Sequence, residues 1–275
     1  MMGRGPGSDV RDDMTTRSWI LLSVAMGLGG MLFTQSTRAD SHQTPTSEHC
    51  DMPRPQADYR MCSFFGKTFD GATFSGADFS GANMMNFKCR GCVFDGAKLH
   101  KSNMKWSDLS DSSFVGADMR EADLFHTRFD YATLTGADLS ASFQFGTDLN
   151  YVKADNTNFA GAFMKDIIME EARFQNSDFS KVNMLGGYIL GSDFSGSNLS
   201  HMEMTAVSAE QANFSNSDLT GSILRGARLI ETEFVGANLQ DVDFGNAMFE
   251  DTNFQGARNI PAVIQPKIDQ NGLAH

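Results

Sequence analysis

A large apolar residue recurs every five positions along most of this chain. Positions ending in 4 or 9, from Phe64 to Phe254, number 39, and 35 of them are Phe, Leu, Met or Ile. The exceptions are Cys89, Gln144, Ala154 and Ala209. Two residues before a large position often stands a small one, as at Ala72, Ala77, Ala82, Ala97, Ser102, Ala117 and Ala122. Asp or Asn often comes just before the large residue, and Gly often comes two residues after it. The register never slips across this span.

A period of five fits neither the 3.6 of a helix nor the 2 of a plain strand. Two inward side chains in five, one large and one small, require a chain that turns a corner after each unit. Gly at the corner supplies the positive φ of a tight turn. Four corners close a square, so one coil takes 20 residues, and the sequence tests this against itself. Sorted by 20, one column reads Phe74, Phe94, Phe114, Leu134, Ala154, Phe174, Phe194, Phe214, Phe234 and Phe254. Another holds Met84, Met104, Met164, Met184 and Met204. Like side chains stacked in columns are what a solenoid predicts and a globular core does not.

The repeats Ala-Asp-Phe-Ser-Gly at 77–81, Ala-Asp-Leu-Ser-Ala at 137–141 and Ala-Asn-Leu-Gln-Asp at 237–241 carry a family resemblance. The chain resembles the pentapeptide-repeat proteins over nearly all of its length beyond the leader. That resemblance implies an all-β solenoid, a right-handed quadrilateral parallel β-helix. The handedness agrees with the rule for parallel crossovers. About ten 20-residue coils at a strand spacing of about 4.8 Å make a rod of about 48 Å. The repeat is assigned to residues 62–259. Residues 40–61 and 260–275 fall outside the register and are expected to cap the open coil ends. Ile260, Val263, Ile264 and Ile268 are the expected cover of the last coil, and Pro53 and Pro55 suit an irregular plug at the first.

The apolar stretch 20–33, preceded by Arg17 and followed by Thr37-Arg38-Ala39, reads as a signal sequence over residues 1–39. It is short for a membrane span. Met14 opens a compact basic segment and is a candidate true start. An uncleaved signal anchor is the alternative, and a membrane enters only in that case. Either way the chain is expected to be exported, periplasmic or secreted.

Four cysteines in an exported chain favour disulfides. Cys89 and Cys92 flank one corner as the ends of a β-turn, close enough to bridge. Cys50 and Cys62 would then tie the N-terminal plug to the first coil. Metal binding through Cys-Arg-Gly-Cys, or buried free thiols at 89 and 92, are the alternatives.

With the register fixed, outward residues sort onto faces. The face of the Met column carries Phe65, Met85, Trp106, Phe125, Phe143, Phe145, Phe163, Leu185 and Ile223, with His126 beside Trp106. An apolar patch of that size marks an interaction surface, and Trp106, Phe125, Phe143, Phe145, Phe163 and Leu185 are its partner-binding candidates. The alternative for Phe143 and Phe145 is that one turns inward, where Gln144 and Ala154 break the core pattern. The face of Cys89 and Leu109 is acidic, with Asp108, Asp111, Asp130, Asp148, Glu170 and Glu171 at its centre. Lys88, Arg90, Arg128 and Arg228 are the chief cations opposing them. A further column holds Asp78, Asp118, Asp138, Asp178 and Asp218, read as solvated repeat chemistry.

Charge narrows the partners. The formal net charge is −12. The chain after residue 39 has 18 basic and 31 acidic groups, a balance of −13. Such a chain repels nucleic acid, so no nucleic-acid partner is expected. The six His share no column, the carboxylates lie on the surface, and no Gly-rich loop opens a helix. No catalytic residue, metal site or cofactor is expected. The residues point to a non-enzymatic interaction scaffold that binds a protein partner or a second copy of itself. The resemblance implies an alternative: some cytoplasmic members mimic a DNA duplex and protect type II topoisomerases. The acidic rod permits that role, and the signal sequence argues against it.

Overall fold

The computed structural model describes residues 49–274. The segment read as a signal sequence, the candidate start at Met14 and residues 40–48 of the N-terminal cap lie outside the described residues. From Asp58 to Arg258 the chain is a parallel β-helix in which residue i pairs with residue i+20, from Asp58↔Asp78 through Asn238↔Arg258. Each side contributes one paired residue between two corners, at positions ending in 3 or 8. That central residue points outward, and the small and large residues on either side of it point inward.

One side shows how the polar backbone is satisfied. Phe74 N–H donates to Val93 O at 2.7 Å, and Val93 N–H donates to Ala72 O at 2.9 Å. The corner itself closes with Ala77 N–H to Phe74 O at 3.0 Å. Buried hydroxyls at the small inward positions reach carbonyls of the preceding coil, as Ser107 Oγ does to Met84 O at 2.6 Å and Thr127 Oγ1 to Met104 O at 2.7 Å. Few polar groups inside are therefore left without partners, as a close-packed interior requires.

The predicted stacking is present. Phe174, Phe194 and Phe214 have centroids 5.2 and 5.4 Å apart with planes at 15°. Phe74, Phe94 and Phe114 form a second stack. Between the two runs the column holds Leu134 and Ala154, so the aromatic stack is broken there. The same coil carries Gln144 in the Met column, fully buried. Its Oε1 has no hydrogen-bond partner.

Corners depart from the simplest expectation. Their second residue has positive φ whether or not it is Gly: Trp106 is at 60°, His126 at 50°, Tyr131 at 62° and Asn176 at 55°. Pairing on both sides of each corner fixes the path, and the residue type does not decide it. A non-Gly residue there costs about 1–2 kcal/mol. Several of these side chains lie over the corner Gly of the next coil. A Cβ on Gly146 would sit 2.5 Å from Cε1 of His126, and one on Gly196 would sit 2.6 Å from Oδ1 of Asn176.

The ends are covered differently. At the N-terminal end the 3-10 turn His49–Asp51 leads to Tyr59, which is buried among Phe64, Phe74 and Phe79. Its hydroxyl donates to Met52 O at 2.7 Å. Cys50 and Cys62 are bonded at 1.98 Å, as are Cys89 and Cys92 at 2.01 Å. Among the described residues no group of His, Cys, Asp and Glu is placed to hold a metal ion. At the C-terminal end β1 (Thr252–Asn253) pairs antiparallel with β2 (Leu273–Ala274). Ile264 is buried, and Ile260 and Ile268 pack against the core. Val263, expected in that cover, is instead 73 % exposed, because the turn from Pro261 to Ile264 points it away from the coil.

Candidate interaction surface

The Met-column face positions its aromatics through two rules of the coil. Outward residues 20 apart sit one above the other, and those on either side of a corner fan outward. Phe143 therefore stacks on Phe163 at 5.2 Å and 1°, and Phe125 on Phe145 at 5.5 Å and 12°. Across the corner, Trp106 stacks on His126 at 4.5 Å and 16°. The columns are joined sideways, since Phe125 meets Trp106 edge-on at 5.1 Å and lies 6.3 Å from Phe143. Six rings form one connected plate.

Neither Phe143 nor Phe145 turns inward. The alternative fails because the inward position between them is filled by Gln144, whose Nε2 donates to Ser142 Oγ at 2.7 Å. Only Trp106, at 53 %, and Phe143 are strongly exposed; Phe125, Phe145 and Phe163 are half-buried because the rings shield one another. Leu185 stands outside the plate. Lys165 separates it from Phe145 in the same column, with its Nζ 5.9 Å from the Phe145 centroid. Lys105 lies on the opposite side and is paired with Asp123 at 2.8 Å.

The acidic face is more neutralised than its sequence suggests. Asp108 is paired with Arg90 at 2.7 Å and lies 3.7 Å from Arg128, which also contacts Asp130 at 3.2 Å. The central column alternates in sign through Lys88, Asp108, Arg128 and Asp148, so it is not an unbroken anionic strip. Asp130 also accepts a hydrogen bond from Asn150 Nδ2 at 3.0 Å. Burial, helped by the charge of Asp130, pushes the Asp148 carboxyl above its ordinary value. Glu170 N–H donates to Asn150 Oδ1 at 3.0 Å, and the Glu171 carboxylate lies over Gly191. Asp111 is an exposed corner residue with φ 61°. Beside these groups stand two exposed rings absent from the sequence reading, Tyr131 and Tyr151, stacked at 4.8 Å and 4°. Their 20-residue spacing was the signal for them.

The column of Asp78, Asp118, Asp138, Asp178 and Asp218 does structural work, which corrects its reading as simply solvated. Each Oδ1 accepts the N–H two residues on, as from Ser80 at 3.0 Å and Ser180 at 2.8 Å, bracing the corner. Where two Asp are stacked, an Arg spans them. Arg60 reaches Asp58 at 2.6 Å and Asp78 at 3.9 Å, and Arg120 does the same for Asp118 and Asp138. The Arg60 guanidinium holds the Asp58 carboxyl down at about 2. Further along, Asp and Asn alternate. Asn198 Nδ2 donates to Asp178 at 3.1 Å, and Asn238 Nδ2 to Asp218 at 2.9 Å.

Comparison with curated protein sequences finds no match. Solved structures do resemble the chain. HetL, a pentapeptide repeat protein involved in heterocyst differentiation regulation in the cyanobacterium Nostoc sp. strain PCC 7120, is 21% identical. That match covers 80% of this chain and 92% of HetL, with a TM-score of 0.35. QnrB1, a plasmid-mediated fluoroquinolone resistance protein, is 18% identical over 70% of this chain and 89% of its own, with a TM-score of 0.37. A pentapeptide repeat protein of the Arabidopsis thaliana thylakoid lumen is 20% identical over 47% of this chain and 84% of its own, with a TM-score of 0.28. At these scores, what those proteins act on remains a property of those proteins. Family models for pentapeptide repeats match residues 62–88, 72–111, 102–140, 147–186, 191–226 and 214–258. These matches extend over most of the chain, which therefore belongs to the pentapeptide repeat family.

Proposed function

We propose that this chain is an exported, non-catalytic binding rod, a right-handed helix of about ten coils, that engages a protein partner through the aromatic plate joined at Phe125 and carrying Trp106 at its exposed margin. The partner is a different protein or a second copy of the chain. The observation that carries this reading is the plate itself: six aromatic rings joined on one face, with Trp106 53 % and Phe143 40 % exposed. An exposed apolar patch of that kind marks an interaction surface. The export half of the proposal rests on the leader-like sequence and the four paired cysteines.

A photo-crosslinking amino acid placed at Trp106, and separately at the exposed Val115 on another face, tests the surface. Crosslinks to a defined protein, or to a second copy, from position 106 and not from 115 are expected. No adduct at 106, or equal adducts at both, sinks the reading. Fractionation of the producing cells tests export: full-length chain confined to the cytoplasm removes that half.

A further inference from the structure

The last coil ends in an open sheet edge on the acidic side. One coil earlier the edge is paired: Leu229 N–H donates to Met248 O at 2.9 Å, Met248 N–H to Ala227 O at 2.9 Å, and Glu231 N–H to Glu250 O at 2.7 Å. At the next step, among the described residues, the N–H groups of Phe249 and Asp251 find no acceptor and the Ala247 carbonyl finds no donor. The neighbouring side is closed instead, by Phe254 N–H to Gly272 O at 2.7 Å and by the β1–β2 pair. Phe249 is only 7 % exposed, so its unpaired N–H belongs to a largely covered residue.

A cleft of about 670 Å³ opens beside this edge. Ile230, Met248 and Phe249 give it apolar walls, Glu250 and Asp251 line its acidic side, and Lys267 lies over the Phe249 ring at 5.3 Å. Among the described residues no cation lies within ion-pair distance of Glu250 or Asp251. An open strand edge beside an apolar cleft is the arrangement to which an extended segment adds.

We propose that this edge is a strand-addition site that takes an extended peptide segment of a partner protein. The segment adds as a parallel strand, with an apolar residue against Met248 and a Lys or Arg two positions later against Glu250. The register follows from the coil. A residue seated as the next rung after Met248 would donate to Ala247 O and accept from Phe249 N–H. The residue two positions on would accept from Asp251 N–H. Outward side chains alternate along a strand, so those same two residues face Met248 and Glu250. The uncompensated carboxylates of Glu250 and Asp251 select a cation at the second position. This surface is separate from the aromatic plate and stands or falls independently of it.

The test uses the full chain and two fluorescein-labelled peptides, Thr-Val-Thr-Leu-Thr-Arg-Thr-Val-Thr and the same peptide with Glu in place of Arg. Anisotropy is expected to show the Arg peptide binding at least about tenfold more tightly. Hydrogen exchange is expected to slow at the amides of Phe249 and Asp251 on binding. Glu250→Arg should reverse the preference between the peptides while leaving the fold intact by circular dichroism. Absence of binding at millimolar peptide, binding without protection of those two amides, or indifference to Glu250→Arg overturns the proposal. Concentration-dependent dimerisation that already protects both amides in the free protein also overturns it, by giving the edge to a second copy.

Discussion

Gln144 points into the core and donates a hydrogen bond to Ser142 Oγ at 2.7 Å, in a column where the coils before and after carry Leu124 and Met164. Its Oε1 is buried without a partner. An unsatisfied buried carbonyl costs about 1–3 kcal/mol. Gln144→Met should therefore stabilise the protein by about that amount, since Ser142 still donates to Leu139 O at 2.6 Å. Urea denaturation midpoints measure it. A variant no more stable than the parent would mean that the amide oxygen is satisfied by ordered water.

Asp148 sits where burial and Asp130 raise its carboxyl pKa. A raised carboxylate contributes stability fully below its unfolded value, 3.8, and loses it as pH climbs through the folded value. Its charged form therefore weakens the fold at neutral pH. Asp148→Asn should raise Tm at neutral pH by about 1–2 °C, a gain discounted for solvent screening. The gain should vanish well below 3.8. Thermal melts across that range check the sign, and a gain that grows toward acid contradicts it.

The two disulfides differ in access. Cys89 and Cys92 are fully buried, whereas Cys50 is partly exposed. Under mild reductant without denaturant, alkylation should label Cys50 and Cys62 well before Cys89 and Cys92, as read by peptide mass spectrometry. Loop closure gives the first pair about 3 kcal/mol and the second about 2 kcal/mol of stabilisation. Losing the Cys50–Cys62 bond should loosen the N-terminal end first. Simultaneous labelling of all four would show that the rod opens as a whole.

The period of five was legible because every inward side chain obeys it. The columns of Phe174, Phe194 and Phe214 and the Trp106–His126 pair followed from counting by twenty. What counting could not give was how neighbouring side chains settle. Gln144 reads as a gap for a neighbouring Phe to fill, yet its amide is long enough to occupy the site itself. Asp178 reads as a solvated carboxylate, yet it accepts hydrogen bonds from both its own corner and Asn198. Tyr131 and Tyr151 stand 20 residues apart at successive corners of the acidic face, where the surrounding carboxylates mask the ring pair in a count of charge. The covers at the two ends escape the repeat altogether, so Val263 was placed by hydrophobicity alone, without a register to correct it.

The alternation of Asp and Asn from Asp138 to Asn238 sets how that flank responds to salt. Skipping every second rung doubles the spacing of carboxylates from about 5 Å to about 10 Å, near the screening distance of dilute saline. Self-repulsion along that flank is then already small, and added electrolyte has little left to suppress. That flank should therefore hold together with little change as salt is added.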